Sequence, residues 1–356
     1  MMEIVDLGTG AAGVHPRPQA TAKAKVMLAG AVARARAARP SRPEQARPLL
    51  SVSLSRRALL RLAWLEYEGL PAPAAERCRA DLGCAVCTEA CPHGALRAAD
   101  GTIEVDRQHC TGCGICVTAC PHEAMELSGA MPDQVAAQMA ALLRAAPAEL
   151  QPRAIVFTCR HAADGLAALA RSGRAYPPGW LPVEVPCVAM VPPTWLLAAL
   201  ALGAAGAALL PAAAGCPRGT AEEVEARADY CRAVLDRLGQ PRERVAVLPA
   251  AGPPLEEALH ALAAAVWPLV SPAPPTPSRL PDRPLAPAAR ACMVLHLAET
   301  YGSGPAWSVA HPRSIFGVVD AAEGCTLCGS CAAACPPEAL ALTHDVDGMT
   351  LTFAPA

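Results

Sequence analysis

Three short windows contain most of the cysteines of this chain, and this clustering constrains its fold and chemistry more than any other feature. The chain has 356 residues and 17 cysteines, and 12 of these lie within 78–91, 110–120 and 325–335. Disulfide frameworks are typical of small secreted chains, and these clusters are too tight for one in a chain of this length. We therefore expect metal-binding thiolates in a reducing compartment.

The second window carries a complete C-x2-C-x2-C-x3-C-P motif, formed by Cys110, Cys113, Cys116 and Cys120. Bacterial ferredoxins bind cubane 4Fe-4S clusters with this spacing. Two-residue gaps let one tight loop place three thiolates around a cluster, and the fourth cysteine binds the neighbouring cluster. Gly114 is expected to keep the backbone close to the sulfurs. Zinc is the alternative metal, but structural zinc is normally bound by two separated pairs.

The first window has the same register with one displaced ligand. Cys84, Cys87 and Cys91 keep the spacing, whereas the position three before Cys84 is Asp81 and the preceding cysteine is Cys78. Because thiolate suits iron better than carboxylate, we predict Cys78 with a longer loop and keep Asp81 as the alternative ligand. The fourth cysteine of each motif binds the cluster of the other motif, and this crossed rule gives two ligand groups. The first group is Cys78, Cys84, Cys87 and Cys120, and the second group is Cys91, Cys110, Cys113 and Cys116.

Residues 76–130 resemble the two-cluster bacterial-type ferredoxin domain through these motifs. The resemblance implies an α+β, pseudo-symmetric ferredoxin-like fold that binds two 4Fe-4S clusters a short distance apart. It also implies low-potential, one-electron transfer. A short strand is predicted at 102–105, between the two windows.

The third window repeats the pattern of the other two. Its cysteines are Cys325, Cys328, Cys331 and Cys335. By the crossed rule, Cys335 belongs to a neighbouring cluster whose other ligands are missing here. We expect residues 290–356, with a strand at 349–353, to be a partial ferredoxin-like domain shortened from a two-cluster form. It would bind at most one further 4Fe-4S cluster, completed by Cys335 after rearrangement, by Cys292 or by a partner's cysteine.

Strands and helices alternate over residues 153–265, which predicts an α/β domain with a parallel sheet covered by helices. Strands are predicted at 154–158, 183–185, 207–210 and 245–248, each followed by a helix. The other predicted segments are a basic helical head at 1–75 with helices at 20–38 and 55–68, a helical connector at 131–152, and a proline-rich linker at 266–289. The surplus positive charge of the head is either a solvated helix face or a surface for an acidic partner or an anionic membrane.

Three cysteines follow predicted strands of this domain and are expected at the carboxyl edge of its sheet, where ligands bind in such folds. They lie in the segments Phe157-Thr158-Cys159, Val185-Pro186-Cys187 and Gly215-Cys216-Pro217. These segments resemble the delta subunit of methyl-viologen-reducing hydrogenase, a domain also fused to heterodisulfide-reductase-like proteins. The resemblance implies electron transfer through a cysteine-bound 2Fe-2S cluster.

The chain departs from that family at two positions. Ala162 and Ala221 stand where the family carries further cysteines. Because three thiolates do not complete a four-ligand site, we predict that the domain binds no 2Fe-2S cluster, with His161 as the alternative fourth ligand. Cys231 and Cys292 lie outside every motif and are predicted to be buried thiols.

Composition limits the class of function. Aromatic residues make up 3% of the chain and the net charge is -2, which disfavours a nucleic-acid-binding protein. The first ten residues lack the pattern of a signal peptide, and prolines interrupt the long uncharged stretch at 185–217. We therefore expect a cytoplasmic protein without a transmembrane segment.

The motifs favour an iron-sulfur electron-transfer subunit without catalytic residues of its own. No nucleotide-binding loop, Ser-His-Asp set or zinc-protease helix is recognisable in the sequence. The family resemblances imply other redox subunits as partners: a hydrogenase, a formate dehydrogenase or a flavin-containing heterodisulfide-reductase-like protein. Two alternatives stay open. One is a catalytic heterodisulfide-reductase-like oxidoreductase with its substrate at the sheet edge, and the other is an iron-sulfur redox sensor.

Overall fold

The computed structural model describes most of the chain between residues 67 and 301, together with parts of both ends. The described residues are 11, 14–39, 46–48, 67–144, 147–212, 216, 221–250, 253–269, 280–301, 309–311, 314, 323–333, 335, 340–345 and 348–353. The helices are α1 (Arg17–Arg36), α2 (Val86–Glu89), α3 (Ile115–Ala119), α4 (Pro132–Arg144), α5 (Arg160–Arg171), α6 (Pro193–Ala201), α7 (Ala221–Arg237), α8 (Pro253–Val266), α9 (Arg290–Thr300) and α10 (Ser330–Ala333). The strands are β1 (Ala46–Pro48), β2 (Tyr67–Gly69), β3 (Ala72–Pro73), β4 (Leu96–Ala99), β5 (Thr102–Val105), β6 (Met125–Glu126), β7 (Ala154–Thr158), β8 (Trp180–Glu184), β9 (Ala207–Leu209), β10 (Val245–Val247), β11 (Leu340–Asp345) and β12 (Gly348–Phe353).

A four-stranded parallel sheet forms the centre of the molecule, as the alternation of strands and helices predicts. The strand order is β10-β9-β7-β8, and every neighbouring pair is parallel. All five residues of β7 are buried, which is typical of a strand covered by helices on both faces of its sheet. Because β7 pairs with β8 on one side and β9 on the other, the carboxyl end of β7 lies at the switch point of the sheet.

The uncharged stretch at 185–217 supplies part of the core. α6 begins at Pro193, and all nine of its residues are buried. Proline suits the first turn of a helix because its missing N–H would have no partner there. Among the described residues, no helix combines the length and the apolar character needed to cross a membrane.

The head contributes one described helix, which packs on the connector. In α1, Arg34 donates hydrogen bonds to the side chain of Gln138 at 2.7 Å and to the carbonyl of Glu184 at 2.6 Å. The guanidinium therefore links the head to both α4 and the end of β8. Residues 55–66 of the second predicted helix lie outside the described part. Its last two residues, Tyr67 and Glu68, form β2 instead, since they pair with β1, and this part of the prediction is wrong.

A fully buried lysine lies where α1 meets the sheet domain. Lys23 Nζ is 3.0 Å from His15 Nε2 and donates a hydrogen bond of 3.0 Å to the Tyr176 hydroxyl. Burial lowers the pKa of Lys23 well below its ordinary value near 10.5. Burial, followed by the charge of Lys23, lowers the pKa of His15 to about 3. Because a charged lysine without water is costly, protonation of this cluster destabilises the packing of the head.

Raising the pH from about 7.5 to about 9.5 is expected to stabilise the native chain more than a Lys23→Met variant. Below about pH 10 the unfolded chain still binds a proton at Lys23. The folded chain releases that proton at lower pH because the pKa is lowered by burial, so the free energy of unfolding rises with pH. One proton contributes a slope of up to about 1.4 kcal/mol per pH unit. Anaerobic urea unfolding followed by circular dichroism measures both slopes, and equal slopes would contradict the argument.

The segment with the first two cysteine windows consists of two small antiparallel strand pairs and two short helices. β3 pairs with β6, which brings the ends of the segment together, and β4 pairs with β5. The strand predicted at 102–105 is therefore confirmed as β5. α3 also contacts the 3₁₀ turn at Val188–Met190, so the segment packs directly on the sheet domain.

The end of the predicted linker packs on the rest of the molecule. Arg283 forms ion pairs with Asp133, at 2.8 Å between Nε and Oδ1, and with Glu123. The carbonyl of Leu285 accepts a hydrogen bond of 3.3 Å from the indole of Trp195. The following helix, α9, packs on α6. Residues 270–279, the middle of the predicted linker, lie outside the described part.

Beyond α9, the described part of residues 290–356 contains α10 and a β-hairpin. β11 and β12 pair antiparallel from Leu340 opposite Phe353 to Asp345 opposite Gly348. The strand predicted at 349–353 is therefore confirmed.

Candidate iron-sulfur centres

The four cysteines of the first group are neighbours in the structure. Burial, followed by the charges of Cys120, Cys78 and Cys84, raises the pKa of the Cys87 thiol to about 11. Charges act this way only over short distances inside a protein. The first motif therefore meets the last cysteine of the second motif. The alternative ligand, Asp81, is exposed.

The cysteines of the second group are also neighbours, and they lie deeper in the molecule. Burial, followed by the charges of other cysteines, raises the pKa of the Cys116 thiol well above its ordinary value. The other cysteines are, in order of effect, Cys113, Cys110, Cys87 and Cys91. Because Cys87 belongs to the first group and acts on Cys116, the two groups lie side by side. The whole second group lines one cavity.

The surroundings of both groups fit thiolate-bound cubane clusters. The backbone N–H of Ala95 donates a hydrogen bond of 3.4 Å to Cys91 Sγ, and that of Ala124 donates one of 3.2 Å to Cys120 Sγ. Such hydrogen bonds to sulfur are one of the factors that set cluster potentials. Within the described residues, no three His, Cys, Asp or Glu side chains form a site for a single metal ion. The four thiols of the second group line one cavity, and four thiolates are the ligand set of a 4Fe-4S cluster.

Two glycines let the second loop turn tightly, and one of them also allows close packing. Gly112 and Gly114 have φ values of 63° and 82°, in the left-handed region that favours glycine. A Cβ added to Gly114 would lie 2.9 Å from Met190 Sδ and 3.3 Å from Leu127 Cδ2. The Thr118 hydroxyl donates a hydrogen bond of 2.6 Å to the carbonyl of Met190. The sequence predicts the tight loop at Gly114, but no local pattern reveals its contact with Met190.

The loop of the first group, residues 78–87, is more exposed than the loop of the second group, residues 110–118. In the loop of the first group, Leu82 is 63% exposed and Val86 is 40% exposed. In the loop of the second group, Ile115, Val117 and Thr118 are buried. The first group therefore lies next to the molecular surface, whereas the second faces the sheet domain.

Two of the three cysteines predicted at the sheet edge are buried. Cys159 and Cys187 are 2% and 3% exposed. Burial and the charge of Cys187 raise the pKa of the Cys159 thiol, and hydrogen bonds from three backbone N–H groups oppose this rise. The three donors are Ala162, His161 and Val188. Cys216, the third predicted edge cysteine, is half-buried.

His161, predicted as an alternative fourth ligand, has a protein contact. Its Nε2 accepts a hydrogen bond of 3.4 Å from Arg160 Nε. Ala162, at one of the positions where a cysteine is missing, is buried beside Cys159.

The other cysteines differ from each other in burial. Cys231 is fully buried, as predicted, and its thiol donates a hydrogen bond of 3.4 Å to the carbonyl of Pro193. Cys292 is exposed, and the prediction of a buried thiol is wrong because this residue lies on the outer side of α9, as does the exposed Leu295. In the tail, Cys325, Cys328 and Cys331 are exposed and Cys335 is half-buried. A hydrogen bond with Ser330, 3.3 Å between Sγ and Oγ, lowers the pKa of Cys328.

Comparisons with known protein families agree with this geometry. Residues 103–126 match a family described as 4Fe-4S binding domain, and residues 75–98 and 322–343 match a second family of that description. The cysteine groups thus belong to domains of the 4Fe-4S binding class. Residues 154–265 match the family described as methyl-viologen-reducing hydrogenase, delta subunit. The chain therefore carries 4Fe-4S domains followed by a hydrogenase delta-subunit domain, as predicted. Comparison with curated proteins gives no match.

Replacing Cys78 with serine is expected to remove the cluster of the first group, whereas replacing Asp81 with alanine is not. The Cys78 thiol acts on buried Cys87, and a hydroxyl is a poorer ligand for iron than a thiolate. We expect the Cys78→Ser chain to lose about four iron atoms. Iron analysis of both full-length variants after anaerobic purification measures the effect. The reverse result would assign the ligand position to Asp81.

Proposed function

We propose that this protein is an iron-sulfur electron-transfer subunit of a larger redox complex. The first group, Cys78, Cys84, Cys87 and Cys120, would bind one 4Fe-4S cluster, and the second group, Cys91, Cys110, Cys113 and Cys116, would bind another. The observation that supports this most directly is the arrangement of eight cysteines into two adjacent sets of four. When bound, such clusters supply one-electron transfer at low potential.

The difference in exposure suggests a direction for the transfer. The surface at Leu82 and Val86, beside the first group, would contact the redox partner, since these apolar side chains are exposed. The buried loop around Gly114 would connect the second group to the delta-subunit domain through Met190. The proposed partners are a hydrogenase, a formate dehydrogenase or a flavin-containing heterodisulfide-reductase-like subunit. We place the protein in the cytoplasm, where a reducing environment keeps thiolates available for iron.

The tail is proposed to be a second, partial ferredoxin-like unit. Its match to the same 4Fe-4S family as residues 75–98 supports this assignment. Its four cysteines, Cys325, Cys328, Cys331 and Cys335, would bind at most one further 4Fe-4S cluster.

A catalytic heterodisulfide-reductase-like oxidoreductase remains the second candidate. The observation that favours it is the pair of buried cysteines, Cys159 and Cys187, at the sheet edge. In that case the isolated chain would itself turn over a disulfide substrate.

Anaerobic purification of the tagged full-length chain from its native cells tests the proposal. We expect redox subunits to co-purify and to reduce the low-potential iron-sulfur centres of the chain, observed by electron paramagnetic resonance. A Leu82→Asp/Val86→Asp variant should retain its iron but accept electrons from the partner at least tenfold more slowly. A matched control is Leu295→Asp, since Leu295 is also exposed but lies on α9. Disulfide turnover by the isolated chain would favour the catalytic alternative.

A further inference from the structure

Two side chains that line the cavity of the second group carry polar atoms without a hydrogen-bond partner. They belong to His93 and Thr111. The Nε2 atom of His93 and the Oγ1 atom of Thr111 are both buried, and neither has a partner within the described part of the chain. Buried polar atoms in native proteins are almost always hydrogen-bonded. Two exceptions at one cavity therefore indicate that a bound group supplies the partner.

The two polar side chains come from different cysteine windows. His93 lies two residues after Cys91, and Thr111 directly follows Cys110. The windows meet at this place, because Cys91 packs against a small apolar cluster that contains Cys110. Each window thus supplies one buried polar atom to the same cavity.

The rest of the lining offers these atoms only sulfur. Among the described residues at the cavity, the side chains other than His93, Thr111 and the four cysteines are apolar or absent. They are those of Pro71, Ala95, Leu96, Gly114 and Ile115. An imidazole N–H and a hydroxyl can donate hydrogen bonds. Hydrogen bonds to the sulfurs of an iron-sulfur cluster are one of the factors that set its potential.

We propose that His93 and Thr111 donate hydrogen bonds to sulfur atoms of the 4Fe-4S cluster of the second group and raise its reduction potential. This inference rests on the proposed electron-transfer function. His93 donates from Nε2 and Thr111 from Oγ1. Reduction of this centre adds one electron from the first centre, breaks no bond and leaves both protons on their donors. Hydrogen bonds strengthen as the acceptor becomes more negative, so the two donors favour the reduced form.

The donors offset a penalty that burial imposes on the second group. A buried site disfavours added negative charge, and the loop of the second group is buried whereas the first loop is exposed at Leu82. His122 holds the same position after Cys120 as His93 after Cys91, but none of its ring atoms is buried without a partner. The two donors thus help an electron that enters at the first group to move inward.

Redox titration of the second centre alone tests the assignment. The parent is the full-length chain with five cysteines replaced by serine, which leaves two thiols in the first group and one motif cysteine in the tail. The replaced residues are Cys78, Cys84, Cys325, Cys328 and Cys331. We expect about four iron atoms in this parent. Its midpoint potential is measured anaerobically at a single pH by electron paramagnetic resonance.

Replacing His93 with phenylalanine should lower the equilibrium constant for reduction about tenfold, which corresponds to about 59 mV for one electron. Phenylalanine keeps an aromatic ring but has no N–H. Thr111→Val, which keeps the shape without the hydroxyl, should lower the constant about threefold. Both variants should retain their iron. His93→Gln and Thr111→Ser keep a donor and should stay close to the parent, and the matched control His122→Phe should leave the potential unchanged.

Two results would overturn the inference. One is an unchanged or higher potential in both the His93→Phe and Thr111→Val chains while their iron stays bound. The other is an equal shift in the His122→Phe chain, which would make the effect unspecific. If a variant loses its iron, its conservative counterpart decides, because His93→Gln or Thr111→Ser must then keep the iron and the potential of the parent, and failure to do so rejects the donor role. A parent without any 4Fe-4S signal would instead reject the proposed function.

Discussion

A Cys116→Ser chain is expected to lose the cluster of the second group and, with it, at least half of the iron bound by the two groups. The parent for this comparison carries serine at Cys325, Cys328 and Cys331, so that the tail contributes no iron. Two 4Fe-4S clusters then give about eight iron atoms in the parent and about four or fewer in the variant. Cys116 is 6% exposed, so water cannot easily replace the missing ligand. Iron and acid-labile sulfide analysis after anaerobic purification measures both chains.

The control for this substitution is Cys231→Ser in the same parent. Cys231 is also buried, but its thiol contacts the carbonyl of Pro193, so the iron content should stay near that of the parent. Because Cys87 and Cys116 are neighbours, loss of both clusters in the Cys116→Ser chain would still agree with the proposal. Unchanged iron, or zinc in place of iron in the parent, would contradict it.

Replacing Gly114 with alanine is expected to destabilise the protein much more than replacing Gly83 with alanine. The two glycines have almost the same φ, 82° and 83°, so both substitutions cost about 1 kcal/mol of backbone strain. They differ in packing, since an added Cβ would lie 2.9 Å from Met190 Sδ at Gly114 and would meet nothing within 4 Å at Gly83. Overpacking brings the cost at Gly114 to roughly 2 to 4 kcal/mol.

Anaerobic urea unfolding of the two variants measures this difference, and the intensity of the iron-sulfur absorption band provides a second readout. A Gly114→Ala/Met190→Ala double variant should recover part of the loss, because the shorter side chain removes the close contact. Equal destabilisation by Gly83→Ala and Gly114→Ala would show that the second loop is not packed on the sheet domain.

Local patterns predict the elements that depend on nearby residues. Three of the four parallel strands and the hairpin strand at 349–353 follow from runs of apolar residues, whereas β8 begins at Trp180, three residues before the strand predicted at 183–185. The cysteine spacing predicts the two ligand groups. Contacts between distant segments leave no such pattern. Met190 on Gly114, Arg34 on Glu184 and the pairing of β1 with β2 therefore appear only in the structure. The same reason explains the wrong prediction for Cys292, since its burial depends on which side of α9 faces α6.

The contrast between an outer and an inner loop also explains the irregular spacing of the first cysteine window. Surface loops tolerate insertions because few contacts have to change, whereas buried loops do not. The exposed loop at Leu82 has open space at Gly83 and accommodates three additional residues between Cys78 and Cys84. The loop of the second group has no comparable freedom, since any added residue would displace Gly114 from Met190. Packing on the sheet domain thus restricts length variation to the motif that faces outward, and there the chain can change its sequence without rebuilding its interior.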